Sequence, residues 1–156
     1  MTRAFQDKIP DNLCFGCGPG NVDGLQIKSA WASTGESVCT YQPEPHHAAG
    51  PPQFVNGGIL ATLIDCHAVC TAIAFAYESE GREIGSDPPI WYATASLEVR
   101  YLRPTPIEAP VEVRARIVDA SDRKTRLSCT LSSRESTCVE GEVVAVRVPA
   151  EWRGDN

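Results

Sequence analysis

Residues 56–77 read N-G-G-I-L-A-T-L-I-D-C-H-A-V-C-T-A-I-A-F-A-Y, from Asn56 to Tyr77. Apolar residues run all the way round a helical wheel here instead of along one stripe, so a helix built from this stretch must be covered on nearly every side. Asp65 and His67 near its middle, and the glycine pair at its start, make it too interrupted for a membrane span, and no window of the chain reaches spanning length. What remains is a buried helix that holds one carboxylate. A desolvated carboxylate with no evident basic partner is costly, and that cost is tolerated at a site more often than in plain core. What Asp65 faces therefore becomes the central question.

Outward from the helix, Pro43, Pro45, Gly50, Pro51 and Pro52 make a stiff connection that excludes helix and central strand and delivers the chain to Asn56. Asn56 is a good N-cap, and Gly57 and Gly58 leave the first backbone N–H groups sterically open. Upstream, residues 25–31 and 37–41 alternate well enough for two strands joined at Thr34-Gly35. Residues 1–23 are turn-rich and read as an irregular arm. Downstream, the run from Glu78 to Gly81 ends the helix, placing it at 57–78. Strands are expected at 93–103, 111–119, 125–133 and 138–148, with turns at 121–124 and 134–137. The clearest alternation sets Val111, Val113, Ala115 and Ile117 against Glu112, Arg114 and Arg116. One long helix cannot be buried by a flat sheet. The expected fold is α+β, a curved antiparallel sheet of about six strands wrapped around a central helix, with residues 1–156 forming a single domain.

At 156 residues the chain suits one core. A net charge of −6 argues against nucleic acid or an anionic membrane as partner. Without a charged n-region followed by an apolar run ahead of Cys14, a cytoplasmic protein is expected. Seven cysteines are an odd number in no small-scaffold spacing, which fits reduced thiols. Cys14-Phe-Gly-Cys17 resembles half of a zinc site, but a second C-x-x-C or an H-x-x-x-H is missing, and His46 and His47 are the remaining nitrogen donors. It is read as a tight turn with small apolar side chains, and neither metal nor cofactor is expected. Cys66 and Cys70 are read as packing residues, and His67, which points to another helix face than Asp65, as a satisfied core or interface histidine.

Two features of the helix carry chemistry. Its N-terminus presents free N–H groups and the positive end of the dipole to a carbonyl oxygen that becomes an oxyanion. Asp65, in apolar surroundings, is a nucleophile or a general base. Together they point to acyl transfer to water. Gly57 and Asp65 are eight residues apart, roughly 12 Å of helical rise, so one carbonyl cannot reach both. A two-fold axis that sets two helices face to face solves this, which makes the expected protein an obligate homodimer, open to pairing as a dimer of dimers.

Residues 50–65 (G-P-P-Q-F-V-N-G-G-I-L-A-T-L-I-D), followed by residues 93–104 (A-T-A-S-L-E-V-R-Y-L-R-P), resemble the hotdog-fold acyl-CoA thioesterases of the phenylacetyl-CoA and 4-hydroxybenzoyl-CoA thioesterase branch. The C-F-G-C-G run from Cys14 to Gly18, with Gly24-Leu25, is similar to the arm of many of them. The resemblance implies hydrolysis of an acyl-CoA thioester to free acid and coenzyme A. It implies that the Gly57 amide, with Gly58 beside it, polarises the carbonyl and that Asp65 attacks or activates water. Thr94 falls where some relatives orient that water, yet simple alternation puts it on the polar face with Ser96, Glu98 and Arg100. A bulge near the strand start would turn it inward. Asn56 replaces the usual His, and Gly50 stands where several relatives carry Asn or Gln, leaving His47 or Gln53 to substitute in substrate binding. Arg100 and Arg103, with Lys124 and Arg126, are cations for coenzyme A phosphates. Trp31, Trp91, Tyr92 and Trp152 are packing, acyl-pocket or interface residues. The alternative is a non-catalytic acyl-CoA-binding or structural module on the same fold. A hydratase is disfavoured because no His stands near the carboxylate.

Overall fold

The helix forms at Gly57–Ser79, and its ends follow from local chemistry. Asn56 caps it, its side-chain oxygen accepting from the N–H groups of Gly58 at 2.8 Å and Ile59 at 3.2 Å. It ends because Gly81 turns into the left-handed region, φ +66°. The Gly81 N–H then donates to the Glu78 carbonyl and the Arg82 N–H to that of Tyr77, which satisfies two orphan carbonyls. This computed structural model describes residues 2–153.

Six strands wrap this helix, α1: β1 (Ala30–Ser33), β2 (Glu36–Tyr41), β3 (Tyr92–Tyr101), β4 (Val111–Ala120), β5 (Lys124–Ser133) and β6 (Ser136–Arg147). They form one sheet in the order β1-β2-β4-β5-β6-β3, every pair antiparallel. The expected hotdog arrangement is therefore present. Inward residues Val111, Val113, Ala115, Leu127, Cys129, Leu131, Val139 and Val143 meet Leu60, Leu63, Ile64 and Ile73 of the helix in one core. Gly141 marks the closest approach, since a Cβ there would stand 2.9 Å from Ile64 Cγ2.

Three expectations need correction. By length and composition α1 would suffice to cross a membrane, with 23 residues and a mean hydropathy of 1.9 over its most apolar window. Interruption by Asp65 is not what distinguishes it. Cover is, because 67% of that window is buried against the rest of the fold. The first strand starts at Ala30 and not at Leu25: Gln26 sits at φ +60°, and the N–H groups of Leu25 and Ile27 donate to Phe15 and Gly16 of the arm instead of to a strand. The last hairpin is tighter than expected. Arg134 and Glu135, both at positive φ, form a two-residue turn between paired Ser133 and Ser136.

The arm packs onto the core. Phe5 meets Trp31 edge-on at 5.1 Å between ring centroids, and Gln6, Asn12 and Cys17 are buried. Gln6 joins a buried polar chain through Ser29 to His67, whose Nδ1 lies 2.8 Å from Ser29 Oγ and whose Nε2 lies 3.0 Å from Ser37 Oγ. Ser37 in turn meets Thr71 at 2.6 Å. Burial pushes the His67 pKa down to about 4, so the ring is a neutral bridge between two hydroxyls, a satisfied core histidine.

Candidate active site

Asp65 lies half-exposed two turns into α1, on the stripe with Gly58, Thr62 and Val69 that the chain's own sheet leaves short of cover. Its Oδ1 accepts a 2.6 Å hydrogen bond from Thr94 Oγ1. That contact depends on a register change in β3. Thr94 pairs with Ala145 but Ser96 pairs with Val144, so Ala95 is an extra, bulged residue. Ahead of the bulge the even-numbered Tyr92 faces the core, and beyond it the odd-numbered Leu97 and Val99 do. The bulge thus puts Thr94 on the helix side, whereas unbroken alternation from Ser96, Glu98 and Arg100 would point it away.

Burial pushes the Asp65 carboxyl above the ordinary carboxylate range. The Thr94 hydroxyl pulls part of the way back, because it bonds the charged form, and negative charge at Cys17 adds to the rise. Among the described residues no cation offsets these influences, which leaves a carboxylate more basic than a solvated one.

The cap uses the N–H groups of Gly58 and Ile59, and the Leu60 N–H bonds the Asn56 carbonyl. The Gly57 N–H is left without a partner among the described residues, at the positive end of a 23-residue helix. Tyr101 closes one side of this point. Its hydroxyl donates to the Gly57 carbonyl at 2.7 Å, and a Cβ on Gly57 would stand 3.5 Å from the ring. Sequence reading missed Tyr101, since an aromatic at the end of a strand carries no signal of what it lies against.

The remaining residues separate. His47 is buried, its Nδ1 accepting from the Glu44 N–H at 3.0 Å while its carbonyl receives the Asn56 N–H at 2.8 Å. It shapes the turn that leads into the helix, and burial lowers its pKa. Gln53 is exposed, and its backbone carbonyl accepts from the Ile107 N–H. Arg100 points from the outer face of the sheet and pairs with Glu140 at 2.9 Å, along a cleft that Glu98 and Glu142 also line. Arg103 is exposed and free of ion pairs among the described residues.

A second cluster lies behind Asp65. The Cys14–Cys17 turn folds against the helix so that Cys14, Cys17 and Cys66 bring their sulfurs within 4.8 Å of one another. The second pair of thiols that the sequence seemed to lack comes from α1, where Cys66 and Cys70 are one turn apart. Spacing along the chain gave no sign of it, because the two halves are about fifty residues apart and meet only through the fold.

A family model described as the thioesterase superfamily matches residues 52–144, which takes in the cap, α1, the bulge and most of the sheet. The chain belongs to the thioesterase superfamily. Among solved structures it is similar to a thioesterase superfamily protein from Shewanella loihica, 33% identical with a TM-score of 0.63 over 79% of this chain and 91% of that one. It shares its fold with the E. coli PaaI protein from the phenylacetic acid degradation operon, at 14% identity and a TM-score of 0.64 over 80% and 81% of the two chains. Among curated proteins it is similar to the Xenopus laevis acyl-coenzyme A thioesterase THEM4, 30% identical over 109 residues, 70% of this chain and 43% of that protein. The chain spans less than half the length of the curated relatives it matches.

Proposed function

We propose that the protein hydrolyses acyl-CoA thioesters. The observation that carries this reading is the 2.6 Å Thr94–Asp65 hydrogen bond on the uncovered stripe of a helix whose first N–H, that of Gly57, has no partner among the described residues. The thioester carbonyl oxygen accepts from Gly57 N–H, and negative charge that develops on it is met by the helix dipole. Asp65 removes a proton from water as it adds to the carbonyl carbon, or adds itself to form an anhydride that water then opens. Either route ends with carboxylic acid and coenzyme A thiol. Thr94 holds the carboxylate in position, and Tyr101 anchors the carbonyl of Gly57, the residue whose N–H is the oxyanion donor. Similarity to a protein named as an acyl-coenzyme A thioesterase supports the substrate class, and Arg103, exposed two residues beyond Tyr101, is a cation for a coenzyme A phosphate.

The eight-residue separation of Gly57 and Asp65 favours a site shared between two subunits, with the exposed stripe of α1 at the interface and each helix serving two sites. A cytoplasmic setting is in keeping with seven unpaired thiols.

The test follows loss of thioester absorbance over a panel of acyl-CoAs, a readout that the chain's own thiols do not disturb, for wild type and Asp65→Asn. Turnover by wild type and its collapse in the variant is the expected result. Tight acyl-CoA binding with no turnover by wild type would instead identify the sensing module.

A further inference from the structure

We propose that Cys14, Cys17 and Cys66 bind a zinc-class divalent cation that fastens the N-terminal arm to the central helix. In a tetrahedral thiolate site with a Zn–S distance of about 2.3 Å, neighbouring sulfurs stand about 3.8 Å apart along each edge. Cys14 Sγ and Cys66 Sγ are 3.7 Å apart, and all three sulfurs fall within 4.8 Å of one another. Cys14 and Cys17 supply the two-residue spacing by which one turn offers two thiolates, and Cys66 rises from the helix to face them. The fourth corner is left for Cys70, on the same helix face as Cys66 one turn along, or for water.

The surroundings suit ligands rather than packing. Gly16 lies so close to the helix that a Cβ there would stand 2.2 Å from Cys66 Sγ, which lets the turn settle onto the thiols. Asn12 shapes it from both sides, its Oδ1 accepting from the Cys14 N–H at 2.9 Å and its Nδ2 donating to Cys17 Sγ at 3.7 Å. Such a donor behind a sulfur supports a thiolate. Each thiol that ligates gives its proton to water as the metal binds. A set of three thiolates selects zinc over magnesium or calcium. Cys14 at the surface leaves a path of entry. The arm lies outside the 52–144 span of the family match, so this fastening belongs to a part of the chain that the match does not describe.

The experiment uses the full chain, reduced, stripped with chelator and titrated with cobalt(II) as a spectroscopic stand-in, then with zinc. One cobalt per chain is expected, with thiolate-to-metal charge-transfer bands and the intense visible bands of a tetrahedral site, displaced stoichiometrically by zinc, which should also raise the melting temperature. The single variant Cys14→Ser, at a surface position, and the double variant Cys14→Ser/Cys66→Ser should each bind at least about 100-fold more weakly. Cys138→Ser, outside the cluster, should bind as wild type does, and circular dichroism checks that every variant is folded. A reduced, folded chain that shows no charge-transfer bands overturns the proposal. So does a Cys14→Ser variant with undiminished cobalt affinity, or a chain that forms a Cys14–Cys66 crosslink in air yet takes up no metal when reduced.

Discussion

The two halves of α1 are made of the same kinds of residue and sit in different environments. Across residues 70–77 every side chain but Phe75 is buried, whereas across residues 57–69 burial is broken at Gly57, Gly58, Ile59, Ala61, Thr62, Asp65 and Val69. The far half is closed over by the sheet and by the loop that follows, where Tyr77 Oη accepts the Ile90 N–H at 2.9 Å. The near half holds the open N–H, the carboxylate and the edge of the thiol cluster. The difference teaches that an all-round apolar helix states how much cover it needs and not who provides it. In the reading proposed above, the near half takes its missing cover from a second subunit and its substrate, and chemistry sits where the chain's own packing stops.

If that division is right, mutations in the two halves must separate activity from stability. The largest effect is expected from Asp65→Asn, which keeps an oxygen for the Thr94 hydroxyl and removes the base. Turnover should fall by about 10²–10⁴-fold while the melting temperature stays within a degree or two. Ile73→Ala in the far half should do the reverse. It removes a buried side chain and leaves a cavity, so urea unfolding should show a loss of about 2–5 kcal/mol, with kcat/KM of the folded enzyme nearly unchanged. A stable Ile73→Ala protein that is inactive would dissolve the distinction between the halves.

Thr94→Val tests how far the near half depends on β3. Removing a hydrogen bond to a charged group should lower kcat by about 10- to 100-fold with little change in KM, read by steady-state kinetics at saturating substrate. The residue also shows what the sequence could and could not tell. Helix α1, its Asn56 cap and the antiparallel strands were legible because they follow from periodicity, capping chemistry and turn residues, each local in the chain, whereas the hotdog fold was named from the resemblance of residues 50–65 and 93–104, and the strand order was not read at all. Thr94 was legible only conditionally: alternation over residues 96–100 put it outside, and nothing in Ala95 announces that it is the residue left over. The pairing of Cys14 and Cys17 with Cys66 was hidden for a like reason, since it needs the arm to fold back on the helix. Gln26 at positive φ turned an apparently regular alternation into a segment bonded to the arm, an effect of backbone conformation that side-chain patterning does not carry. Burial of His47 likewise required the capping box with Glu44 that no pattern around Pro45 advertised.

The smallest effect expected is at Asn56, and it divides cap from catalyst within the near half. Its side chain serves Gly58 and Ile59, leaving Gly57 N–H untouched. Asn56→Ala should therefore cost about 1 kcal/mol of stability by thermal or urea unfolding. Because the oxyanion donor is not part of the cap, kcat should change by no more than about two- to threefold. Asn56→Ser, which restores a short acceptor to the same two N–H groups, should recover most of the stability and leave kcat where it was. If kcat instead drops steeply in Asn56→Ala and is not rescued by the serine, the asparagine amide itself contacts the reacting carbonyl. The site would then begin one residue before the helix, with Asn56 a polar replacement for the histidine usual at that position and not only a cap.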